Sequence, residues 1–242
     1  MLTIATGEPN SDRMECKRRF ARPSAILVVA CLVLLCGLPA RAADPATVTF
    51  SLDFPKSDPE RYSITVQSDG HARYECLARI SDESEDHEAY QAEFTFTDAT
   101  RARIFDLAAQ AHYFSGKIDS GNRKLAFTGA KKLIYKDGQH SSSADYNFSF
   151  QPQVQQLTTL FQSVAATLEF GRRLAYLHRY QKLALDDELK RMETQARSGD
   201  LMELGAVKPI LQEIYDDSSV MNVVRAKALR IIDMGNAAPA AH

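Results

Sequence analysis

The chain has 242 residues, no tryptophan, and 29 basic against 31 acidic side chains, which gives a net charge of −2. Residues 1–42 hold six of the basic and three of the acidic side chains, so the remainder of the chain carries a net charge of −5. A mildly acidic chain without a basic tract offers no electrostatic surface to nucleic acid, and we expect no nucleic-acid partner.

Residues 1–42 have the features of a leader followed by a secretory signal peptide. A basic stretch at 17–22 precedes an apolar run at 25–38, whose 14 residues fall short of the roughly 20 that span a membrane. The small residues before Ala43 predict cleavage between Ala42 and Ala43, and a periplasmic or secreted mature chain. Two alternatives stay open: lipidation of Cys36, which would follow the large Leu35, and an uncleaved membrane anchor.

Alternating apolar residues predict four strands in the first part of the mature chain. The apolar positions fall within residues 48–54, 62–66, 72–78 and 90–96. A three-residue loop at 68–70, with Gly70 left-handed, would set Val66 opposite Ala72 and keep one face of the hairpin apolar.

Cys76 is the one cysteine beyond residue 42, so the mature chain has no intramolecular disulfide. Its alternation with Ala72, Tyr74 and Ala78 puts it on the core side of a strand, where thiols are usually inert. We interpret it as a buried structural residue, with a reactive thiol or an intermolecular disulfide as the alternative.

A helix capped by Thr97 or Asp98 is predicted next, and two more strands follow it. A two-residue turn at Asp137-Gly138 would set Phe127 opposite Phe148 in this second hairpin. Pro152 can then open another helix. The sheet and its two covering helices are expected within residues 43–170.

Residues 171–235 have an unbroken helical pattern. It predicts one helix around residues 174–183, a second capped by Asp186, a third that opens with a capping box of Asp200 and Glu203, and a last one capped at Asp217-Ser218. Residues 236–242 are expected to be a disordered tail. The fold class is therefore α+β: an antiparallel sheet of about six strands with two covering helices, followed by an all-helical C-terminal extension.

Few sequence motifs point to chemistry. The chain has no G-x-S-x-G motif, no closely spaced histidine pair and no phosphate-binding loop, and we expect no cofactor and no metal. The acidic run at 82–88 is interpreted as a solvated loop, with a cation site as the alternative. Arg172, Arg173 and Arg179 begin the helical extension, and we take them as a candidate partner surface, with an ordinary solvated helix face as the alternative.

Four short stretches carry a resemblance: AFTGAKKL at 126–133, YKDG at 135–138, YNFS at 146–149 and TLEF at 167–170. Through them residues 61–170, about half of the chain, resemble a family of exported bacterial proteins of unknown function, in particular those of acidobacteria. The resemblance implies an extracytoplasmic setting. It brings no activity, cofactor or catalytic residue.

The sequence favours a non-enzymatic binding module of the cell envelope. We expect it to bind a protein or peptide through the helical extension or a face of the sheet, the partner being another envelope protein or a second copy of the chain. No membrane contact is expected after the signal is removed. The alternative is an extracytoplasmic hydrolase that uses carboxylates gathered by the fold.

Overall fold

A computed structural model describes residues 44–55, 57–79, 87–122 and 124–237. The predicted signal peptide, the Ala42–Ala43 cleavage site, the larger part of the acidic run and the last five residues of the predicted tail lie outside these ranges. The described residues belong to a unit that spans Ala43–His242.

Six antiparallel strands form one sheet, as the alternating pattern predicts. The strands are β1 (Thr47–Asp53), β2 (Arg61–Gln67), β3 (His71–Arg79), β4 (His87–Thr95), β5 (Ala130–Lys136) and β6 (Ser141–Tyr146). Their spatial order is β4-β3-β2-β1-β5-β6, so β4 and β6 are the edges of the sheet. Every second residue of the inner strands is buried on one face, while the other face is polar, with Thr49 bonded to Thr65.

The β2–β3 hairpin has the predicted register. Val66 pairs with Ala72, and Tyr62 pairs with Cys76. Gly70 has a φ of 99°, in the region that glycine adopts without a steric penalty, and its N–H donates to Gln67. The apolar face of the hairpin is therefore sufficient to select the loop length.

The β5–β6 hairpin differs from its prediction by two residues of register. Lys136 pairs with Ser141, and the Asp137 N–H donates to the carbonyl of His140, so the turn is centred on Gly138-Gln139. Both strands end before they reach Phe127 and Phe148, which are exposed. The prediction failed because the two registers share the same parity and bury the same face of each strand.

Two helices cover the apolar face of the sheet. Helix α1 (Asp98–Gln110) begins after the predicted cap Thr97, whose hydroxyl accepts from the Thr100 N–H. Helix α2 (Pro152–Tyr180) has 29 residues, a length of about 43 Å, whereas six strands span about 24 Å. It crosses the sheet from β6 to β4, and its Phe161 stacks on Phe50 of β1 at 5.4 Å between ring centroids.

The remaining helices pack on the outer side of α2 and on each other. They are α3 (Leu185–Ser198), α4 (Lys208–Asp216) and α5 (Asn222–Asn236), with short 3₁₀ turns at Lys182–Ala184 and Leu204–Val207. The contact with α2 is close at Gly171, where an added Cβ would lie 2.5 Å from Val207. None of the helices in the described part of the chain is long and apolar enough to span a membrane.

Four details of the helical extension differ from the predictions. Asp186 lies inside the first turn of α3 and does not cap it, and the last helix begins at Asn222, after Met221, and not at Asp217-Ser218. The helix expected near residue 174 is the continuation of α2, which runs unbroken through Phe170 and Gly171. The boundary predicted after Phe170 thus falls inside a helix, and whether residues 43–170 fold alone stays a prediction. Glu203 forms no capping box; its carboxylate instead accepts from the N–H and the hydroxyl of Thr97 at the start of α1.

Candidate functional site

The middle of α2 places a carboxylate inside the core. Glu169 is 4% exposed, because it lies on the helix face that packs on β3. Its Oε1 accepts from the Tyr74 hydroxyl at 2.6 Å and from the Cys76 thiol at 3.4 Å, and its Oε2 accepts from the Arg172 Nε at 2.9 Å. All four side chains are therefore joined in one hydrogen-bonded cluster between the sheet and α2.

Arg172 extends this cluster to the β1–β2 loop. Its guanidinium donates to the carbonyl of Arg79 at 3.0 Å and lies 3.9 Å from the carboxylate of Asp58. Asp58 in turn accepts from the Arg79 N–H at 3.1 Å. Burial works to lower the pKa of Arg172, but the charges of Glu169 and Asp58 outweigh it, and the pKa lies above its usual value.

The protonation states of this cluster favour a structural role over proton transfer. Burial, followed by the charge of Glu169, raises the pKa of the Tyr74 hydroxyl, so Tyr74 stays protonated and donates. The same two causes raise the pKa of the Cys76 thiol to about 12, which keeps the thiolate scarce at neutral pH. A neutral thiol is a poor nucleophile, and each oxygen of Glu169 already accepts a hydrogen bond.

A cleft of about 290 Å³ lies on one side of the cluster, between the β1–β2 loop, α2 and α3. Asp58 and Glu169 reach it, together with Arg173 and Arg191. Arg173 donates to the buried Glu188 at 2.7 Å, and Arg191 pairs with the same carboxylate. The carboxylates that line this α2–α3 cleft are thus paired with Arg172, and its arginines are paired with Glu188.

A groove of about 340 Å³ lies on the other side, between α2 and the edge strand β4 with the end of β3. Its charged lining residues are Arg79, Arg172, Arg179 and Glu88, and three tyrosines, Tyr90, Tyr176 and Tyr180, line it as well. The Tyr176 and Tyr180 rings lie 5.1 Å apart, and the Arg179 guanidinium lies 5.3 Å from the centre of the Tyr180 ring. We call this surface the β4–α2 groove.

The three arginines predicted as a partner surface therefore have different environments. Arg172 is only 12% exposed and belongs to the buried cluster. Arg173 lines the α2–α3 cleft, where it packs on the Phe170 ring at 4.8 Å and pairs with Glu188. Arg179 is exposed in the β4–α2 groove. Arg172 and Arg179 thus both line the β4–α2 groove, while Arg173 lies in the neighbouring α2–α3 cleft.

Sequence reasoning missed Glu169 as the centre of the cluster. The signal was present, because Glu169 falls on the same helical stripe as the buried Phe161 and Ala165, where a charge is unexpected. Arg172 follows one turn later, which is the spacing of a helical ion pair. The partners Tyr74 and Asp58 come from distant strands and loops and had no such signal.

The histidines are dispersed over the molecule. His140 at the β5–β6 turn lies 3.2 Å from Asp137 and stacks on Tyr113, while His178 contacts Asp217 at 2.9 Å on the helical side. Among the residues that the structure describes, no three histidine, cysteine or acidic side chains gather as metal ligands would.

No known protein-family model matches the chain, and no curated protein matches its sequence. The resemblance of residues 61–170 to exported acidobacterial proteins therefore stays a prediction.

Proposed function

We propose that this protein is an exported, non-enzymatic binding module of the cell envelope. The β4–α2 groove is its binding site, and the ligand is an extended, carboxylate-bearing segment of another envelope protein. The observation that carries the proposal is an open groove between an edge strand and a helix, lined by arginines and tyrosines.

The edge strand supplies the first argument. In the described part of the chain no strand lies beyond β4, so its outward N–H and carbonyl groups can pair with an added strand. Peptides that add to a sheet edge gain affinity from main-chain hydrogen bonds and specificity from side-chain pockets beside the edge. The β4–α2 groove is such a pocket.

The charges of the groove supply the second argument. Glu88 also lines the groove, but among the described residues neither Arg79 nor Arg179 has a carboxylate within ion-pair distance. A guanidinium forms strong, paired hydrogen bonds with a carboxylate, and tyrosines give a large contact area at a small entropic cost. An acidic side chain or a free C-terminus is therefore the group that we expect the groove to hold.

The alternative of a hydrolase has less support. Asp58 and Glu169 do meet at the α2–α3 cleft, which is the kind of convergence that a carboxylate-dependent hydrolase needs. Both, however, flank Arg172, and Glu169 also accepts from Tyr74 and Cys76. Carboxylates engaged in this way are poorly placed to exchange protons with a substrate.

Short β-prone peptides with a fluorescent label test the groove, each made with a free C-terminal carboxylate and with a C-terminal amide. We expect the carboxylate form to bind more tightly. Arg179→Ala should weaken it about tenfold, which is the loss of about one charge-assisted hydrogen bond. Lys136→Ala, at the opposite end of the sheet, is the matched control. Equal binding by Arg179→Ala and the control would place the ligand elsewhere.

Export is tested separately. Mass spectrometry of the protein recovered from its native host should find Ala43 at the N-terminus, since small residues precede the predicted cleavage site. A cytoplasmic form that still carries residues 20–42 would contradict export.

A further inference from the structure

Five large apolar side chains are exposed together at one end of the sheet. They are Phe54, Leu125, Phe127, Phe148 and Phe150, which we call the aromatic end. Phe127 and Phe150 are 58% and 67% exposed. An apolar surface of this kind on a folded domain usually marks a site of contact with another body.

The strand register explains why these residues share one end. Asp53, the last residue of β1, pairs with Ala130, the first of β5, and Lys131 pairs with Tyr146, the last of β6. The chain therefore enters or leaves all three strands at the same end of the sheet. The rings make contacts in two pairs, Phe54 with Phe127 at 6.0 Å and Phe148 with Phe150 at 5.5 Å.

Hydrogen bonds hold the segments between these rings. The Asn147 side chain donates to the Ala126 carbonyl at 3.0 Å and accepts from the Thr128 N–H at 3.1 Å, which joins the segment before β5 to the one after β6. Gly129 has a φ of 95°, and an added Cβ would lie 2.7 Å from Leu52. The aromatic rings thus extend from segments with a fixed backbone.

Lys131 also links the segment before β5 to the segment after β6. It is buried, and its Nζ donates to the carbonyl and the hydroxyl of Thr128, the carbonyl of Gly129 and the carbonyl of Asn147, at 2.8 to 3.3 Å. Four oxygens around one ammonium hold the two segments together without any ring having to be buried.

Exposed lysines lie at the aromatic end, while the carboxylates beside them are engaged. Lys124 is exposed in the segment before β5, and Asp53, next to Phe54, pairs with Arg61 at 2.9 Å. Lys117 adds an exposed ammonium beside Gly121. Asp119, at the border, accepts from the N–H groups of Gly121 and Asn147.

We propose that the aromatic end docks on the surface of a membrane that contains anionic lipids. Exposed phenylalanine and leucine side chains bury favourably at the boundary between headgroups and acyl chains, and basic side chains beside them attract anionic headgroups. The contact is peripheral and is made by loops, so the sequence does not need an amphipathic helix at this site. This proposal adds a second binding site to the β4–α2 groove. It differs from the expectation that the mature chain has no membrane contact.

The absence of tryptophan from the whole chain permits a direct test. In Phe150→Trp the single indole reports on the aromatic end, and in Leu183→Trp it reports on an 84% exposed position of the helical side. With vesicles of phosphatidylcholine and phosphatidylglycerol, we expect the emission of the first variant to shift to the blue and that of the second to stay unchanged. Added salt should reduce the shift, because it screens the basic side chains.

Flotation with the same vesicles measures the contribution of the rings. Phe127→Ser with Phe150→Ser should lower vesicle binding at least about tenfold, because two exposed rings lose their apolar burial. Leu183→Ser should bind as the unchanged protein does. The proposal is overturned if the unchanged protein does not bind vesicles, or if the double variant binds equally well. The proposal is also overturned if the only effect of the double substitution is to convert a dimer into monomers, because the rings then contact a second copy of the chain.

Discussion

Two charged side chains are buried against the sheet, and the protein holds them in opposite ways. Glu169 is paired with the guanidinium of Arg172 and accepts from Tyr74. Lys131 has four neutral oxygens around its ammonium, from Thr128, Gly129 and Asn147. The first charge is neutralised by an opposite charge, and the second is solvated by dipoles.

The difference has electrostatic and structural consequences. The carboxylate of Glu169 helps to keep the pKa of Arg172 above its usual value, while burial lowers the pKa of Lys131. Glu169 joins α2 to β3, elements 95 residues apart, whereas Lys131 joins segments on either side of a single hairpin. The loss of Glu169 should therefore affect the whole fold, and the loss of Lys131 should affect one end of the sheet.

The largest effect is expected for Glu169→Leu. This change leaves Arg172 buried with its main partner removed, and the loss of one partner of a buried ion pair typically costs about 3–5 kcal/mol. Urea denaturation should find a loss of this size. Arg172→Met added to Glu169→Leu should recover part of it, because no charge is then stranded.

Glu75→Gln is the matched control for that measurement. Glu75 lies on the polar face of β3 and pairs with Arg73 at 2.8 Å, both side chains being about half exposed. Its loss should change the free energy of unfolding by less than about 1 kcal/mol. A similar small loss for Glu169→Leu would show that the buried cluster does not hold the sheet to α2.

Lys131→Met should have a smaller and more local effect. It leaves the carbonyls of Thr128, Gly129 and Asn147 without their donor, and unsatisfied buried groups cost about 1–3 kcal/mol. Hydrogen exchange should become faster at Thr128 and Asn147 but not in β3. Lys132→Met, on the exposed face of the same strand, is the control. Equal acceleration throughout the sheet would contradict a local role.

These two clusters also mark the limit of what the sequence predicts. The six strands, the first hairpin register and both covering helices follow from periodicity, because it reports which face of each element is buried. Lys131 and Glu169 each break that periodicity on a buried face. Periodicity can therefore detect a buried charge, but it cannot name the partners, which come from other elements.

The predictions for the second hairpin and for Glu203 were wrong for a related reason. The two registers of β5 and β6 bury the same residues, so the apolar pattern does not separate them. Glu203 has the spacing of a local cap but bonds to Thr97, 106 residues earlier in the chain. The β4–α2 groove and the aromatic end are likewise assembled from distant segments, and local sequence signals describe neither.

Cys76 sharpens the comparison, because its thiol contacts Glu169. Burial raises its pKa to about 12, with the charge of Glu169 as the second cause. We expect slow labelling by a thiol reagent in the native protein at pH 8 and rapid labelling in denaturant. Cys76→Ala should fold with a loss of about 1–2 kcal/mol from the small cavity. Rapid native labelling, or a disulfide-linked dimer, would contradict a buried structural thiol.

Glu193 forms ion pairs with arginines that are exposed to water, in contrast to the buried charges of Glu169 and Lys131. Its substitution should have the smallest effect on the free energy of unfolding. Both of its oxygens accept from Arg230, at 2.9 and 3.0 Å, and Arg197 adds a bond at 2.7 Å. The hydrogen bonds from Arg230, more than any other cause, lower the pKa of Glu193 from 4.5 to about 2. The arginines are 46% and 62% exposed, so solvent screens the pair, and we expect Glu193→Gln to cost about 1 kcal/mol or less at neutral pH.

The pH dependence of that cost has a definite sign. A carboxyl whose pKa is lower in the folded than in the unfolded chain stabilises the fold above its unfolded pKa, and the contribution disappears as pH falls through the folded pKa. The difference in unfolding free energy between the unchanged protein and Glu193→Gln should therefore be constant from pH 8 to about 5. It should then shrink toward zero between about pH 4.5 and 2, where both states become protonated. Glu213→Gln, at an exposed position of α4, should leave the pH profile of stability unchanged. If Glu193→Gln gives the same flat difference as Glu213→Gln, the ion pairs of Glu193 with Arg230 and Arg197 contribute nothing to stability.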